Sequence, residues 1–151
     1  MPPTIRDDPY ASYNFQVIIN DVSNDGVAVS GSFSEMSGLE ITIPPIEYRN
    51  GSEPNTKRKI PGLQAYTDVT LKRGITGHVD FYNWLVENIN GLVRRTSGSI
   101  ILLDENRREV MRWNFDRAWP TKYTGPGLNG GNNEIAMETV VICCEQLRID
   151  V

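Results

Sequence analysis

The sequence is poor in the residue types that most often carry catalysis and metal binding. Its 151 residues include a single histidine, His78, and two cysteines, the adjacent Cys143 and Cys144. Neighbouring residues in a strand point to opposite faces, so a disulfide between these two cysteines would need a strained turn. A structural zinc site takes about four ligands, which cannot be assembled from this cysteine count. We therefore expect no disulfide scaffold, no metal site, no catalytic residue and no cofactor.

The sequence also lacks long apolar runs and any excess of positive charge. No run approaches the roughly 18 apolar residues that mark a candidate membrane helix, and the segment Met1–Asp8 lacks the apolar stretch of a secretory signal. The net charge of −4 and the pI near 5.0 argue against a dedicated nucleic-acid-binding protein. We expect synthesis in the cytoplasm and no membrane insertion by this chain.

Alternation of apolar and polar residues with a period of two dominates the sequence. Tyr13, Phe15, Val17 and Ile19 form such a pattern, which is typical of a strand with one buried face. The same reasoning predicts strands at 27–34, 39–43, 67–73, 100–103, 110–115 and 135–149.

A single helix is predicted at about 77–95, where apolar residues recur at spacings of three and four. With about seven strands and no alternation of strands and helices, the sheet should be antiparallel. The expected fold is mainly β (α+β): one domain over residues 1–151, an antiparallel β-sandwich or small barrel with one flanking helix.

Residues 46–62 differ from the rest of the chain. They are polar and charged, are interrupted by glycine and proline, and have no clear period. Connections of this length in a compact domain are uncommon and are usually functional or disordered. We predict that 46–62 is an extended arm.

Several short segments follow one another in a characteristic order over about residues 10–149. These are Tyr13-x-Phe15-x-Val17, Gly31–Leu39, Glu47-Tyr48-Arg49-x-Gly51, Lys59–Leu63, Val69–Gly74, Phe81-x-x-Trp84, Trp119-Pro120-x-Lys122 and Asn133-Glu134-x-Ala136-x-Glu138. As an ordered set they resemble the tail-tube family of contractile phages and extracellular contractile injection systems.

The resemblance implies an assembly and not a reaction. Members of this family are similar in fold to the type VI secretion tube protein, and they form hexameric rings that stack into a hollow tube. A contracting sheath drives the tube through a target envelope. The expected partners are other copies of the chain, the sheath, the baseplate hub, the tube cap or terminator, and cargo protein or DNA in the lumen. The expected location is a virion tail or a released extracellular particle.

Two sets of residues are candidate assembly sites. By resemblance, the arm at 46–62 and an N-terminal arm at 1–10 are expected to make inter-subunit contacts. We hypothesise that Tyr48, Arg49, Lys57, Arg58 and Lys59 contact acidic surface on a neighbour; the alternative is that these charges are merely solvated. The face of Ser30, Ser32 and Ser34 is a candidate lumen lining or an ordinary solvent face.

Other functions are compatible with the same sequence. A tube terminator, a baseplate-hub subunit or a type VI tube protein would share the fold. A small-ligand-binding β-barrel is an alternative from another class, and it requires an apolar interior cavity. The sequence leaves open whether a phage or an injection system is served, and which cargo passes.

Overall fold

The computed structural model describes residues 5–20, 29–31, 33–52, 55–131 and 133–150. Within them lie twelve strands and one helix. The strands are β1 (Phe15–Ile19), β2 (Val29–Gly31), β3 (Glu35–Ser37), β4 (Ile41–Thr42), β5 (Pro45–Tyr48), β6 (Arg58–Pro61), β7 (Ala65–Tyr66), β8 (Val69–Gly74), β9 (Thr96–Leu103), β10 (Glu109–Thr124), β11 (Met137–Cys143) and β12 (Gln146–Asp150). Helix α1 spans Asp80–Ile89. Every strand pairing is antiparallel, so the predicted mainly-β antiparallel fold with one helix is confirmed.

Strand β10 belongs to both layers of the fold. Its first half pairs with β9 and with β12, and its second half, from Trp119 to Thr124, pairs with β11. Register shifts between Phe115 and Ala118 and between Pro120 and Lys122 interrupt the ladder. Such irregularities bend a strand and increase its twist. The long strand therefore leaves one sheet and enters the other.

The main strand path runs β2-β1-β9-β10-β11-β8-β3. Its two ends, β2 and β3, are neighbours in the chain, and the buried Phe33 lies between them. No pairing joins β2 to β3 among the described residues, so the sandwich, and not a closed barrel, describes the architecture.

The core lies between the layers and is filled by aliphatic and aromatic side chains. Strand β8 alternates buried and half-buried positions, with Val69 and Leu71 inward. Helix α1 contributes Phe81 and Trp84, and β10 contributes Phe115; all three side chains are almost fully buried.

Helix α1 is shorter than the predicted segment 77–95. It begins after Val79 without a side-chain cap and ends at Ile89; Asn90 is the C-cap, and Gly91 follows with a φ of +91°. This backbone conformation favours glycine and ends the helix. Trp84 Nε1 donates to the carbonyl of Arg94 at 3.0 Å, which holds the returning chain against the helix. No helix in the described part of the chain has the length and apolar character to cross a membrane.

Several strand predictions were wrong in their boundaries, and the twelve described strands exceed the predicted number of about seven. The strand predicted at 100–103 already begins at Thr96, and only Ile41 and Thr42 of the predicted 39–43 form a strand. The predicted strand at 110–115 continues as β10 to Thr124, and the predicted strand at 135–149 is split into β11 and β12. The break falls at Cys144 and Glu145, where Glu145 N–H donates to the carbonyl of Asp116 at 3.2 Å. Because β10 crosses between the layers, β11 and β12 pair with different halves of it.

Candidate inter-subunit surface

The arm at 46–62 contains an antiparallel hairpin of β5 and β6. Ile46 pairs with Ile60, Glu47 with Lys59, and Tyr48 with Arg58. This two-stranded sheet is separate from the main one. Residues 53 and 54, within the loop that joins the strands, lie outside the described residues.

One face of the hairpin is mostly apolar. Side chains two apart in a strand share a face, so Ile46 and Tyr48 lie beside their partners Ile60 and Arg58. The apolar residues are widely open to solvent, since Ile46, Tyr48 and Ile60 are 54%, 52% and 47% exposed. A two-stranded hairpin is marginally stable in water by itself. This face therefore lacks the covering that normally stabilises such an element.

The opposite face of the hairpin is charged. Glu47 lies across from Lys59, and Lys57 Nζ is 3.5 Å from Glu47 Oε2. Both members of that ion pair are well exposed, so the pair contributes little to stability.

The hypothesised contact residues are all exposed on or beside this hairpin, but they divide between its two faces. Tyr48 and Arg58 lie on the apolar face, whereas Lys57 and Lys59 lie beside Glu47. Arg49 follows the last residue of β5 directly. The structure thus brings the predicted residues together as an element, and their contact with a neighbour stays a prediction.

The base of the hairpin is fixed by close backbone contacts. Gly62 N–H donates to the carbonyl of Pro44 at 2.9 Å, and a Cβ at Gly62 would lie 2.6 Å from that oxygen. Nearby, Gly38 has a φ of +100°, and Thr67 Oγ1 donates to its carbonyl at 2.7 Å. Strands β4 and β7 pair between these two points. The direction in which the hairpin leaves the body is therefore set by tight packing.

The three candidate lumen serines do not share one strand. Ser30 lies in β2 opposite Ile18, while Ser34 is exposed beside β8, where its Oγ donates to the carbonyl of Lys72 at 3.2 Å. Ser32 lies outside the described residues. A lumen role for this face stays a prediction.

A buried ion pair joins β8 to β11. Arg73 and Glu138 are direct partners in the register, and Arg73 Nε donates to Glu138 Oε1. They are only 8% and 6% exposed. Tyr123 donates to the other carboxylate oxygen at 2.7 Å, and Arg73 Nη2 donates to the carbonyl of His78 at 3.5 Å. The pair thus connects both strands to β10 and to the residues before α1.

The surroundings of this pair are those of a structural element. The guanidinium carbon of Arg73 lies 4.4 Å from the ring centroid of Phe81 in α1, and such stacking stabilises a cation. The hydrogen bond to the Glu138 carboxylate, followed by burial, raises the pKa of Tyr123. The phenol therefore stays protonated and continues to donate to Glu138.

Sequence reasoning missed the pairing of these two residues, although both lie in motifs that carried the resemblance. The signal was present in the alternation. Arg73 lies two residues from the inward Leu71, and Glu138 lies two residues from the inward Val140, so both charged residues share the inward face of their strands. A charged residue at an inward position requires a partner, and one opposite charge stands on the neighbouring strand.

The residues weighed for chemistry are the single histidine and the two adjacent cysteines. His78 is exposed, and Cys143 and Cys144 are free thiols whose pKa values are raised, mainly by burial. A raised pKa keeps a thiol protonated and a weak nucleophile. Across the described ranges, no group of three or more His, Cys, Asp or Glu residues is placed to hold a metal ion.

An apolar groove opens between the layers beside the N-terminal segment. It has a volume of 290 Å³, and Phe15, Met36, Leu39 and Trp113 lie in its wall. Tyr10, Ala11 and Ser12 form one side. The preceding residues are held down by Arg6, which donates to both carboxylate oxygens of Glu105 at 3.0 Å. The described part of the predicted N-terminal arm therefore lies along the rim of this groove.

Comparison with known proteins gives a consistent result. The model of the family described as T4-like virus tail tube protein gp19 matches residues 11–148. No curated protein matches the chain.

Solved structures are similar over nearly the whole chain. A chain of the PVC sheath–tube complex, an extracellular contractile injection system in the extended state, has a TM-score of 0.83 and 26% identity over 96% of this chain and 93% of that one. A chain in the anti-feeding prophage tube-terminating cap has a TM-score of 0.81 and 28% identity over 98% and 95% of the two chains. Hcp1 from Flavobacterium johnsoniae shares the fold, with a TM-score of 0.62 and 13% identity over 91% and 94%.

The family match extends from before β1 into β12 and so includes the hairpin, the buried ion pair and the helix. The chain belongs to the T4-like virus tail tube protein family, and it is a tail-tube subunit of the kind found in contractile injection systems.

Proposed function

We propose that this chain is the repeating, non-catalytic subunit of the inner tube of a contractile phage tail or a phage-tail-like injection particle. The family match over residues 11–148 is the observation that carries this proposal. The chain would assemble into hexameric rings, and the rings would stack into a hollow conduit for cargo protein or DNA. In this role the fold supplies surfaces for self-association and no reacting group.

The exposed apolar side chains support self-association. Monomeric soluble proteins rarely expose large contiguous apolar patches, and such patches commonly mark interaction sites. Two stretches of this chain are rich in exposed apolar side chains, one around the hairpin and one from the residue before α1 to the residues after it. They include Ile41, Ile43, Ile46, Tyr48, Ile60 and Leu63 in the first stretch, and Val79, Tyr82, Ile89, Leu92 and Val93 in the second.

The similar structures suggest the other components of the particle. They are described as a sheath–tube complex, a tube-terminating cap and a baseplate. By analogy, this chain would contact a contractile sheath along its length, a baseplate hub at one end and a cap at the other. The assembled particle would be a virion tail or an extracellular particle.

A tube terminator is the second candidate. The 28% identity to a chain in the cap structure is comparable to the 26% identity to a chain in the sheath–tube complex, so identity alone does not favour the tube body. A ligand-binding barrel receives less support, because Phe81, Trp84 and Phe115 fill the core, and the apolar groove beside the N-terminal segment measures only 290 Å³.

Electron microscopy of the purified protein, with light scattering on the same sample, tests the proposal. A tube subunit should give rings with an open centre and stacks whose length grows with protein concentration. A terminator should give single rings and should stop the growth of tubes formed by another subunit. A monomer at every concentration, with or without preformed tube ends, would contradict both assignments.

A charge reversal tests the role of the arm. Replacing Arg58→Glu and Lys59→Glu together changes the net charge of residues 45–61 from +2 to −2. Both side chains are exposed, so the fold should be retained. We expect folded protein that no longer stacks, measured by sedimentation and microscopy. Tube formation equal to that of the unaltered chain would show that these charges are only solvated.

A further inference from the structure

We propose that the apolar groove beside the N-terminal segment of one copy receives the apolar face of the β5–β6 hairpin from another copy. This inference rests on the proposed function, since it names the two surfaces through which the subunits associate. The occupant is a second copy of this chain.

The hairpin presents the inserted surface. Ile46, Tyr48 and Ile60 lie on one face and are about half exposed, whereas Glu47 and Lys59 occupy the other. Covering the apolar face would remove it from water and leave the charged face at the rim. An interface of this type, with an apolar centre and a polar rim, is typical of stable protein association.

The groove presents a receiving surface of matching apolar character. Phe15, Met36, Leu39 and Trp113 give it an apolar wall. Its 290 Å³ lies at the lower limit of about 300–1,000 Å³ for small-ligand pockets, and it suits a few protruding side chains better than a large ligand.

Charge decides between arm-to-arm and arm-to-body contact. Residues 45–61 carry four basic and two acidic side chains and so have a net charge of +2, while the whole chain has −4. The rest of the chain therefore carries −6. Two arms brought together would repel each other, whereas an arm placed on the body of another copy is attracted.

Acidic residues stand next to the groove in the chain. Asp8 lies two residues before Tyr10, and Glu40 follows Leu39. Both acidic side chains are exposed, whereas the basic Arg6 at the same rim is already paired with Glu105. An arm that enters this groove thus meets charge of the opposite sign, which orients it and accelerates association.

An arm-to-body contact also has the symmetry that an extended assembly needs. The two surfaces are different, so the contact is heterologous and each copy retains a free arm or a free groove. Heterologous contacts generate closed rings or open filaments, in contrast to the closed dimers that self-complementary contacts produce. The inferred contact therefore continues from subunit to subunit.

Crosslinking between mixed variants tests the inference. One preparation carries Ile60→Cys and the other Ser12→Cys, so a covalent dimer of the two reports contact between copies. Ser12 is exposed and lies at the groove. The control preparation carries Glu47→Cys in place of Ile60→Cys. Position 47 lies on the opposite face of the hairpin, and loss of its carboxylate makes the arm more positive. A weak control signal thus reports the face and not the charge.

We expect about tenfold more covalent dimer from the 60–12 pair than from the 47–12 pair, because a disulfide needs Cβ atoms within about 4.5 Å. The unaltered chain, with its buried Cys144 and half-buried Cys143, gives the background. In parallel, Ile60→Ser should raise the protein concentration needed for assembly by about tenfold or more, and Glu47→Ser should not.

The outcomes separate this inference from the proposed function. Rings or tubes that form without a preferred 60–12 crosslink would overturn the groove assignment and leave the tube function intact. A groove that binds a hydrophobic dye equally before and after assembly would overturn it as well. Failure of the unaltered chain to assemble at any concentration, even on preformed tube ends, would overturn both.

Discussion

The buried pair of Arg73 and Glu138 makes a quantitative prediction about stability. Replacing Arg73→Met leaves the Glu138 carboxylate buried without its cation, while the Tyr123 hydroxyl still donates to it. Removing one partner of a buried ion pair typically costs about 3–5 kcal/mol in the free energy of unfolding. For a chain of this size, that corresponds to a fall in Tm of about 6–20 °C.

The control and the compensating variant are provided by the same strands. Lys72 is adjacent in β8 and half-exposed on the other face, so Lys72→Met should change the free energy of unfolding by about 0.5 kcal/mol or less. The double change Arg73→Met with Glu138→Leu removes both charges. Replacing a buried pair by apolar residues of similar volume is often neutral or stabilising, so we expect it to recover most of the loss.

Urea unfolding followed by tryptophan fluorescence measures these differences, because the buried Trp84 lies in α1, the helix whose Phe81 stacks on Arg73. The protein is kept at a concentration at which light scattering shows no assembly, since association adds to apparent stability. A loss of less than about 1 kcal/mol for Arg73→Met would refute the reasoning that the pair is desolvated. A double variant no more stable than the single one would refute the idea that the unpaired charge causes the loss.

Three further predictions concern packing, protonation and salt. Gly98→Ala should lower the free energy of unfolding by about 1–3 kcal/mol, since a Cβ there would lie 2.3 Å from Phe115 Cζ and 2.5 Å from the carbonyl oxygen of Ile18. Gly51 has open space around it, so Gly51→Ala is the neutral control in the same unfolding assay. Because the pKa of Tyr123 is raised in the fold, the folded state keeps the phenol proton to higher pH than the unfolded state, and stability should fall as pH rises above about 10. Tyr123→Phe should weaken this pH dependence. Unfolding curves that do not change at alkaline pH would contradict the prediction. Raising the salt concentration to about 1 M, where the Debye length is about 3 Å, should slow assembly measured by light scattering; acceleration would contradict arm-to-body attraction.

The sequence predicted those elements whose pattern is local. The alternation in 67–73 reappears as β8, and the helix is present, because a strand or helix with one buried face must repeat its apolar residues at the period of that structure. The helix boundaries were less certain: Val93 continues the apolar spacing but lies after Gly91, outside the helix and exposed.

The extent of β10 was not predictable from local pattern. The predicted strand ended at residue 115, five residues before Pro120, and a proline cannot donate to a ladder. In the structure Pro120 lies at a register shift and is buried, and its carbonyl accepts from Asn88 Nδ2 of α1 at 3.3 Å. Pro120 still pairs with Ile142 of β11, so the strand continues through the proline, and only tertiary packing can show this.

By itself, the sequence determined a mainly-β antiparallel fold with one helix, a polar arm at 46–62 and membership of a tube-forming family through an ordered set of motifs. Those features depend on residue type and spacing, which are fixed along the chain. The tertiary structure decided that the arm is a hairpin with unlike faces, that Arg73 meets Glu138 across two strands 65 residues apart, and that an apolar groove opens between the layers. Each of these depends on which strands become neighbours, and register between distant strands is set by packing of the whole core.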